Sequence, residues 1–133
     1  MNVIDKILEQ ARDLYSVNER ELCAIKAQLE YDLKNVTALV YDFYLDGYYD
    51  PNYGTHVLAI RNNSGFYAKQ EVGGDEIYWS AQYETSGDRY KGIGNNFIDA
   101  YEDLVDSINS HIQEYEEKLR DLKHFTKVYP LRS

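Results

Sequence analysis

The stretch HVLAIRNNSGFYAKQEVGGDEIYWSAQYE, residues 56–84, decides the fold class. It divides into three apolar-polar alternating runs, His56–Arg61, Phe66–Val72 and Glu76–Glu84. The turn-forming sequences Asn62-Asn63-Ser64-Gly65 and Gly73-Gly74-Asp75 separate them. Period-two alternation between short Gly/Asn turns is the pattern of antiparallel hairpins with one buried face. Upstream, Thr37, Leu39, Tyr41, Phe43 and Leu45 alternate with Ala38, Val40, Asp42, Tyr44 and Asp46, which adds a fourth strand. The turn-rich run Asp46–Gly54 follows it. Leu39, Tyr41, Phe43, Leu58, Ile60, Phe66, Ala68, Ile77, Trp79 and Ala81 are expected on the inner face, and Asp42, Tyr44, Asp46, Tyr67 and Tyr78 on the outer one.

Helical segments flank this meander. Residues 2–35 contain no Gly or Pro, and Ile4, Ile7/Leu8, Ala11 and Leu14/Tyr15, then Leu22, Ile25, Leu29 and Leu33, recur at helical spacing. Asn2 is placed to cap the start. Ser16-Val17-Asn18-Glu19 reads as a second capping box, which favours two helices over one. Cys23, among Leu22, Ala24 and Ile25, reads as a small hydrophobe. After residues 85–96, expected as a loop, Asn95 or Asn96 caps a helix over residues 97–123. Phe97, Tyr101, Leu104, Ile108, Ile112, Tyr115, Leu119 and Leu122 form an unbroken stripe along it. Residues 124–133 are expected to be an extended tail. The expected architecture is one α+β domain over residues 1–133: an N-terminal helical segment (1–35), a four-stranded antiparallel meander (36–84) and a long C-terminal helix packed on one sheet face.

Composition narrows the function. The 133 residues carry 14 Lys and Arg against 23 Asp and Glu, a formal charge of −9. Phosphate neutralisation by cations dominates non-specific nucleic-acid affinity, so direct nucleic-acid binding is not expected. The longest apolar runs fall far short of the roughly 20 residues of a membrane span, and the charged N-terminus does not read as a signal peptide. With one cysteine, no intrachain disulfide forms. A cytoplasmic protein is the expectation.

No catalytic constellation emerges. His56, His111 and His124 lie outside any metal-ligand spacing, and Asp46–Asp50 lacks the spacing of a calcium loop. Cys23 has no electropositive setting to activate it. No metal, no cofactor and no enzymatic activity are expected. The segment Arg89-Tyr90-Lys91-Gly92-Ile93-Gly94, ahead of a helix, has phosphate-binding chemistry: two cations, two glycines and a helix N-terminus. Arg89, Lys91, Gly92 and Gly94 are therefore the candidates for an alternative function as a nucleotide or phosphate binder.

Binding surfaces are better marked. Asp99, Glu102, Asp103 and Asp106 fall at i, i+3, i+4 and i+7 on the last helix, with no Lys or Arg from residue 97 to 117. Residues 118–133 hold five cations and one acid, a net +4, leaving −13 for residues 1–117. The chain has 14 tyrosines against 4 Phe and 1 Trp. Tyr48, Tyr49, Asp50 and Tyr53 crowd the first turn, and Tyr44, Tyr67 and Tyr78, with Asp42 and Asp46, are assigned to the outer sheet face. Tyr41, Tyr101 and Tyr115 are expected as half-buried core members. An acidic surface studded with tyrosine suits a basic protein groove, with charge steering association and aromatic contact slowing release.

In size, charge, the Asp99/Glu102/Asp103/Asp106 cluster and the tyrosine-rich turn, the chain resembles the small phage-encoded inhibitors of bacterial defence, of the anti-CRISPR and DNA-mimic type. That resemblance implies a non-enzymatic inhibitor docking on the basic, nucleic-acid-binding site of a target protein in the cytoplasm of a bacterial host. The class shares no single fold, so no site residue follows from it. An immunity protein neutralising a toxin nuclease is an alternative with the same surface demands. A homodimer closed through the exposed sheet face is a competing use of the same tyrosines.

Overall fold

A computed structural model describes residues 2–36, 43–73 and 76–129. Asn2 caps helix α1 (Val3–Glu9), its Oδ1 accepting from Asp5 N–H at 2.9 Å. One π-helical turn, Gln10–Leu14, follows. Ser16, at φ +54°, breaks the helix, so the joint falls where two helices require it. The cap of helix α2 (Glu19–Val36) is Asn18 rather than Ser16: Asn18 Oδ1 accepts from Glu21 N–H at 2.9 Å. Leu22, Ile25, Leu29 and Val36 of α2 enter the core, whereas Cys23 is exposed. The apolar stripe of α2 passes beside Cys23, not through it.

The sheet is a five-stranded antiparallel meander in the order β1-β2-β3-β4-β5. β1 (Tyr44–Asp50), β2 (Thr55–Arg61), β3 (Phe66–Gly73) and β4 (Glu76–Glu84) answer to the four expected strands, and β5 (Arg89–Gly94) is additional. Two corrections follow. First, the expected turn at Asp46 is strand, paired from Tyr44 opposite Arg61 to Asp50 opposite Thr55. Gly47 lies inside it because a side chain there would sit 2.9 Å from both Ile7 Cδ1 and Val57 O. The turn itself is Pro51–Gly54, closed by Gly54 N–H to Asp50 O at 2.9 Å, with Gly54 at φ +65°. Residues 37–42, which carry the inner-face candidates Leu39 and Tyr41 and the outer-face candidate Asp42, lie outside the described residues.

Second, part of the expected loop at 85–96 is β5. Its inward positions are Tyr90, Gly92 and Gly94, across from Tyr83, Ala81 and Trp79. Two of these three have no side chain, so hydrophobic alternation does not mark the strand. The glycines let helix α3 (Phe97–Val128) lie directly on it. A Cβ on Gly92 would meet Leu104 N at 2.2 Å and Ala100 O at 2.5 Å, and one on Gly94 would meet Ala100 N at 2.4 Å.

The core fills the space between the inner sheet face and the helices. Leu58, Ile60, Phe66, Ala68, Trp79 and Ala81 face Ile7, Ala11, Leu29, Phe97, Ala100 and Leu104. Phe66, Phe97, Trp79 and Tyr101 form an aromatic cluster, with Phe66 edge-on to Phe97 and Tyr101. Ile77 has inner-face parity but is 54% exposed, where it lines an open cleft beside α2 and Trp79.

Both sheet edges are capped by helix side chains. On β1, Gln10 Oε1 accepts from Tyr49 N–H at 3.0 Å; on β5, Asp103 Oδ2 accepts from Ile93 N–H at 2.9 Å. Unpaired edge amides are templates for association, and these contacts occupy two of them.

Candidate protein-binding surface

Helix α3 runs past β5 in the opposite direction to the strand. Its first turns sit on Gly94 and Gly92, and the His111 ring lies tilted against Tyr90 at 5.1 Å between ring centres. There the sheet ends. Every residue from 109 to 129 is exposed, and the helix continues to Val128. Residues 112–128 therefore project about 25 Å, at 1.5 Å per residue. This departs from a helix packed along its whole length, and, since α3 reaches Val128, residues 124–128 are helix rather than the start of an extended tail. Leu122 and Tyr115 of the expected core stripe are 65% and 62% exposed. A sheet strand of six residues cannot cover a helix of 32.

The acidic cluster divides by task. Asp99 belongs to the helix start: Asn96 Oδ1 accepts from Asp99 N–H at 2.9 Å and Asn96 Nδ2 approaches Asp99 Oδ2 at 3.3 Å. Asp103 is committed to Ile93. Glu102 and Asp106 are exposed and have no ion-pair partner among the described residues. Glu114, Glu116 and Glu117 continue this acidity along the projecting helix.

The tyrosine group also divides. Tyr44, Tyr48 and Tyr53 are exposed, and Tyr67 and Tyr78 are half-buried on the outer sheet face. Tyr44 is held in place, its hydroxyl donating to Asn63 Oδ1 at 2.8 Å and its ring lying under the Arg61 guanidinium at 5.4 Å. Tyr49 is a core residue, 8% exposed, tilted against Tyr15. Its inward parity in β1 removes it from the contact surface. Asp46 pairs with Lys6 at 2.6 Å and lies 3.6 Å from Arg61. The hydrogen bond from Lys6, then that from Gly47 N–H, holds its carboxyl below the usual range. Asp50 is half-buried and accepts from Asn52 N–H at the turn, so the acids of β1 serve the fold first.

The phosphate-binding arrangement does not assemble. Arg89 and Lys91 point to the outer face of β5, and Gly92 and Gly94 to the inner face beneath α3. Arg89 approaches Glu84 at 3.4 Å. Cations and glycines thus lie on opposite sides of one strand, and the glycines serve helix packing.

A polar cluster was not singled out by the sequence reading. Asp32 of α2 reaches the inner sheet face, where Oδ2 takes hydrogen bonds from His56 Nε2 at 2.8 Å and Gln70 Nε2 at 3.0 Å. Gln28 Nε2 donates to Oδ1 at 2.9 Å, and Gln70 Oε1 accepts from Leu58 N–H at 2.9 Å. Burial works to raise the Asp32 carboxyl, and the hydrogen bonds from His56, Gln70 and Gln28 outweigh it, so the group titrates below its ordinary value. Nε2 faces the Asp32 carboxylate as a donor, and Nδ1 is buried without a hydrogen-bond partner. The cluster forms one wall of a cleft of about 320 Å³ between α2, Trp79 and the start of α3. Apart from His56 Nδ1, the cluster's hydrogen bonds tie α2 to β2 and β3, which makes it a brace between them. Its signals were present: His56 and Gln70 share parity with Leu58 and Ala68, and Asp32 follows Leu22, Ile25 and Leu29 on the same helix face.

Among the described residues no group of three or more His, Cys, Asp or Glu side chains is placed to hold a metal ion, and no helix is long and apolar enough to cross a membrane. No family model matches the chain, and neither the curated proteins nor the solved structures compared with it gave a match. The α+β architecture therefore stands on the structure itself, and the functional reading on its surface chemistry.

Proposed function

We propose that this protein is a non-enzymatic binding module that sets the acidic face of α3 against a basic, nucleic-acid-binding site of another protein, an inhibitor in the manner of the small phage-encoded anti-defence proteins. The observation that carries this is the row Glu102, Asp106, Glu114, Glu116 and Glu117. These acids are exposed, lie on one helix and have no ion-pair partner among the described residues. Uncompensated like charge on a helix is mildly destabilising, and its use is in steering an oppositely charged partner. Tyr44, Tyr48 and Tyr53 offer a second contact area near the far sheet edge.

The test is affinity capture from a bacterial lysate, followed by competition of the captured protein with duplex DNA. Capture of a nucleic-acid-binding protein that DNA displaces supports the reading. A captured toxin nuclease would assign the immunity role, which uses the same acids. Capture that is indifferent to salt and to Glu102→Ala with Asp106→Ala would overturn the acidic docking surface.

A further inference from the structure

On the projecting half of α3, the large side chains Ile112, Tyr115, Leu119 and Leu122 recur with alternating spacings of three and four, and the same spacing continues through the smaller Thr126 to Tyr129, with Phe125 and Val128 flanking it. This is a heptad seam, with Ile112, Leu119 and Thr126 at a positions and Tyr115, Leu122 and Tyr129 at d positions. Its large apolar members are between 40% and 67% exposed. Seventeen helical residues without tertiary support are marginal in water, so this segment is built to be completed by another helix.

We infer that the covering element is the same segment of a second copy, paired antiparallel. Charge decides the orientation. Glu114, Glu116 and Glu117 lie in the first half of the seam, and Lys118, Arg120, Lys123 and Lys127 in the second. Parallel pairing aligns acid with acid and cation with cation. Antiparallel pairing lays each basic half on the partner's acidic half, so one surface is its own complement, as a two-fold interface requires.

Length sets the register. The helix leaves the sheet after His111 and ends at Val128. Full overlap without collision places Ile112 across from the partner's Tyr129, Tyr115 from the partner's Thr126, and Leu119 from the partner's Leu122. This register sets Glu116 beside the partner's Lys123 at flanking e positions, twice by symmetry. The two sheets lie at opposite ends of the coil; the coil takes up Glu116 and its neighbours Glu114 and Glu117, while Glu102 and Asp106 stay outside it, so the dimer leaves the proposed acidic docking to those two residues and presents them in two copies.

Sedimentation velocity of the full chain tests this. At about 100 μM, which populates a dimer of micromolar Kd, a species of twice 15.6 kDa is expected. Leu119→Asp with Leu122→Asp should give a monomer. Unchanged emission from the buried Trp79 would show that the body still folds in that variant. Lys123→Glu alone should weaken the dimer about tenfold, from two ion pairs turned repulsive. Adding Glu116→Lys should restore it, which a parallel coil would not do. A monomeric wild type, a dimer that survives the Leu119/Leu122 substitutions, or failure of the charge swap to restore association overturns the inference.

Discussion

Asp103 Oδ2 on α3 accepts the backbone N–H of Ile93 on β5 at 2.9 Å, so an acid that the sequence groups with a binding surface closes the edge of the sheet. The contact also fixes the angle at which α3 crosses β5, one turn beyond the Gly94 contact. Two kinds of acid therefore share this helix: Asp99 and Asp103 act on the fold, and Glu102 and Asp106 face outward.

Asp103→Ala should lower unfolding stability by about 1 kcal/mol, the loss of a partly exposed charge-assisted hydrogen bond. Hydrogen exchange at the Ile93 amide should accelerate by more than the global stability change alone predicts. Urea unfolding and exchange monitored by NMR measure both.

Glu102→Ala with Asp106→Ala should leave the unfolding midpoint within about 0.5 kcal/mol of wild type, as exposed surface substitutions do. It should slow association with a captured target, and more so at low salt, where screening is weak. Stopped-flow or surface-based kinetics at two ionic strengths reads this. An unchanged association rate at low salt counts against the acidic face.

Gly92→Ala is expected to be the most damaging small substitution. The new methyl would lie 2.2 Å from Leu104 N and 2.5 Å from Ala100 O, both backbone atoms that no rotamer change can move. Either α3 lifts from the strand or β5 bends. The expected loss is about 3 kcal/mol, at the upper end of overpacking effects, seen as a lower thermal midpoint and altered Trp79 emission.

Asp32→Asn removes the anion that His56, Gln70 and Gln28 all contact. The expected loss at neutral pH is about 2–4 kcal/mol, for a largely buried charged acceptor whose donors are left misdirected. The pH dependence has a definite sign. The folded carboxyl titrates below its ordinary 3.8, so the unfolded chain takes up the proton first as pH falls. The contribution is complete above the unfolded value of about 4 and is lost as pH drops through the folded one. The part of the stability difference between wild type and Asp32→Asn that Asp32 itself supplies should shrink as pH falls below about 4. A constant difference down to pH 2 would remove Asp32 from the acid-sensitive groups.

Much of the α+β architecture was legible in local pattern. The runs at Phe66–Gly73 and Glu76–Glu84 alternate because each strand has one wetter and one dry face, whereas in Thr55–Arg61 Val57 is buried on the outer side as well, and Asn2 and Asn96 mark helix starts because their side chains satisfy free N–H groups. β5 was not legible. Its inward residues Gly92 and Gly94 are selected by a helix backbone more than ten residues away in places, and a missing side chain leaves no hydrophobic mark. Tyr49 was misplaced for a related reason: Gly47 resembles a turn until Ile7 is seen packed against it.

The sequence by itself determined the strand-turn-strand order, the helical ends, the acidic balance and the continuous stripe of α3, because these depend on neighbours one to four residues apart. Only the tertiary structure decided which part of that stripe is core. Phe97 and Leu104 are buried and Leu119 and Leu122 exposed along one periodic pattern, because β5 is six residues long and the sheet ends beside His111. It likewise decided which acids are free and drew Asp32, His56 and Gln70 together. Hydrogen-bond partners and cover are set by distance in space, which spacing along the chain does not encode.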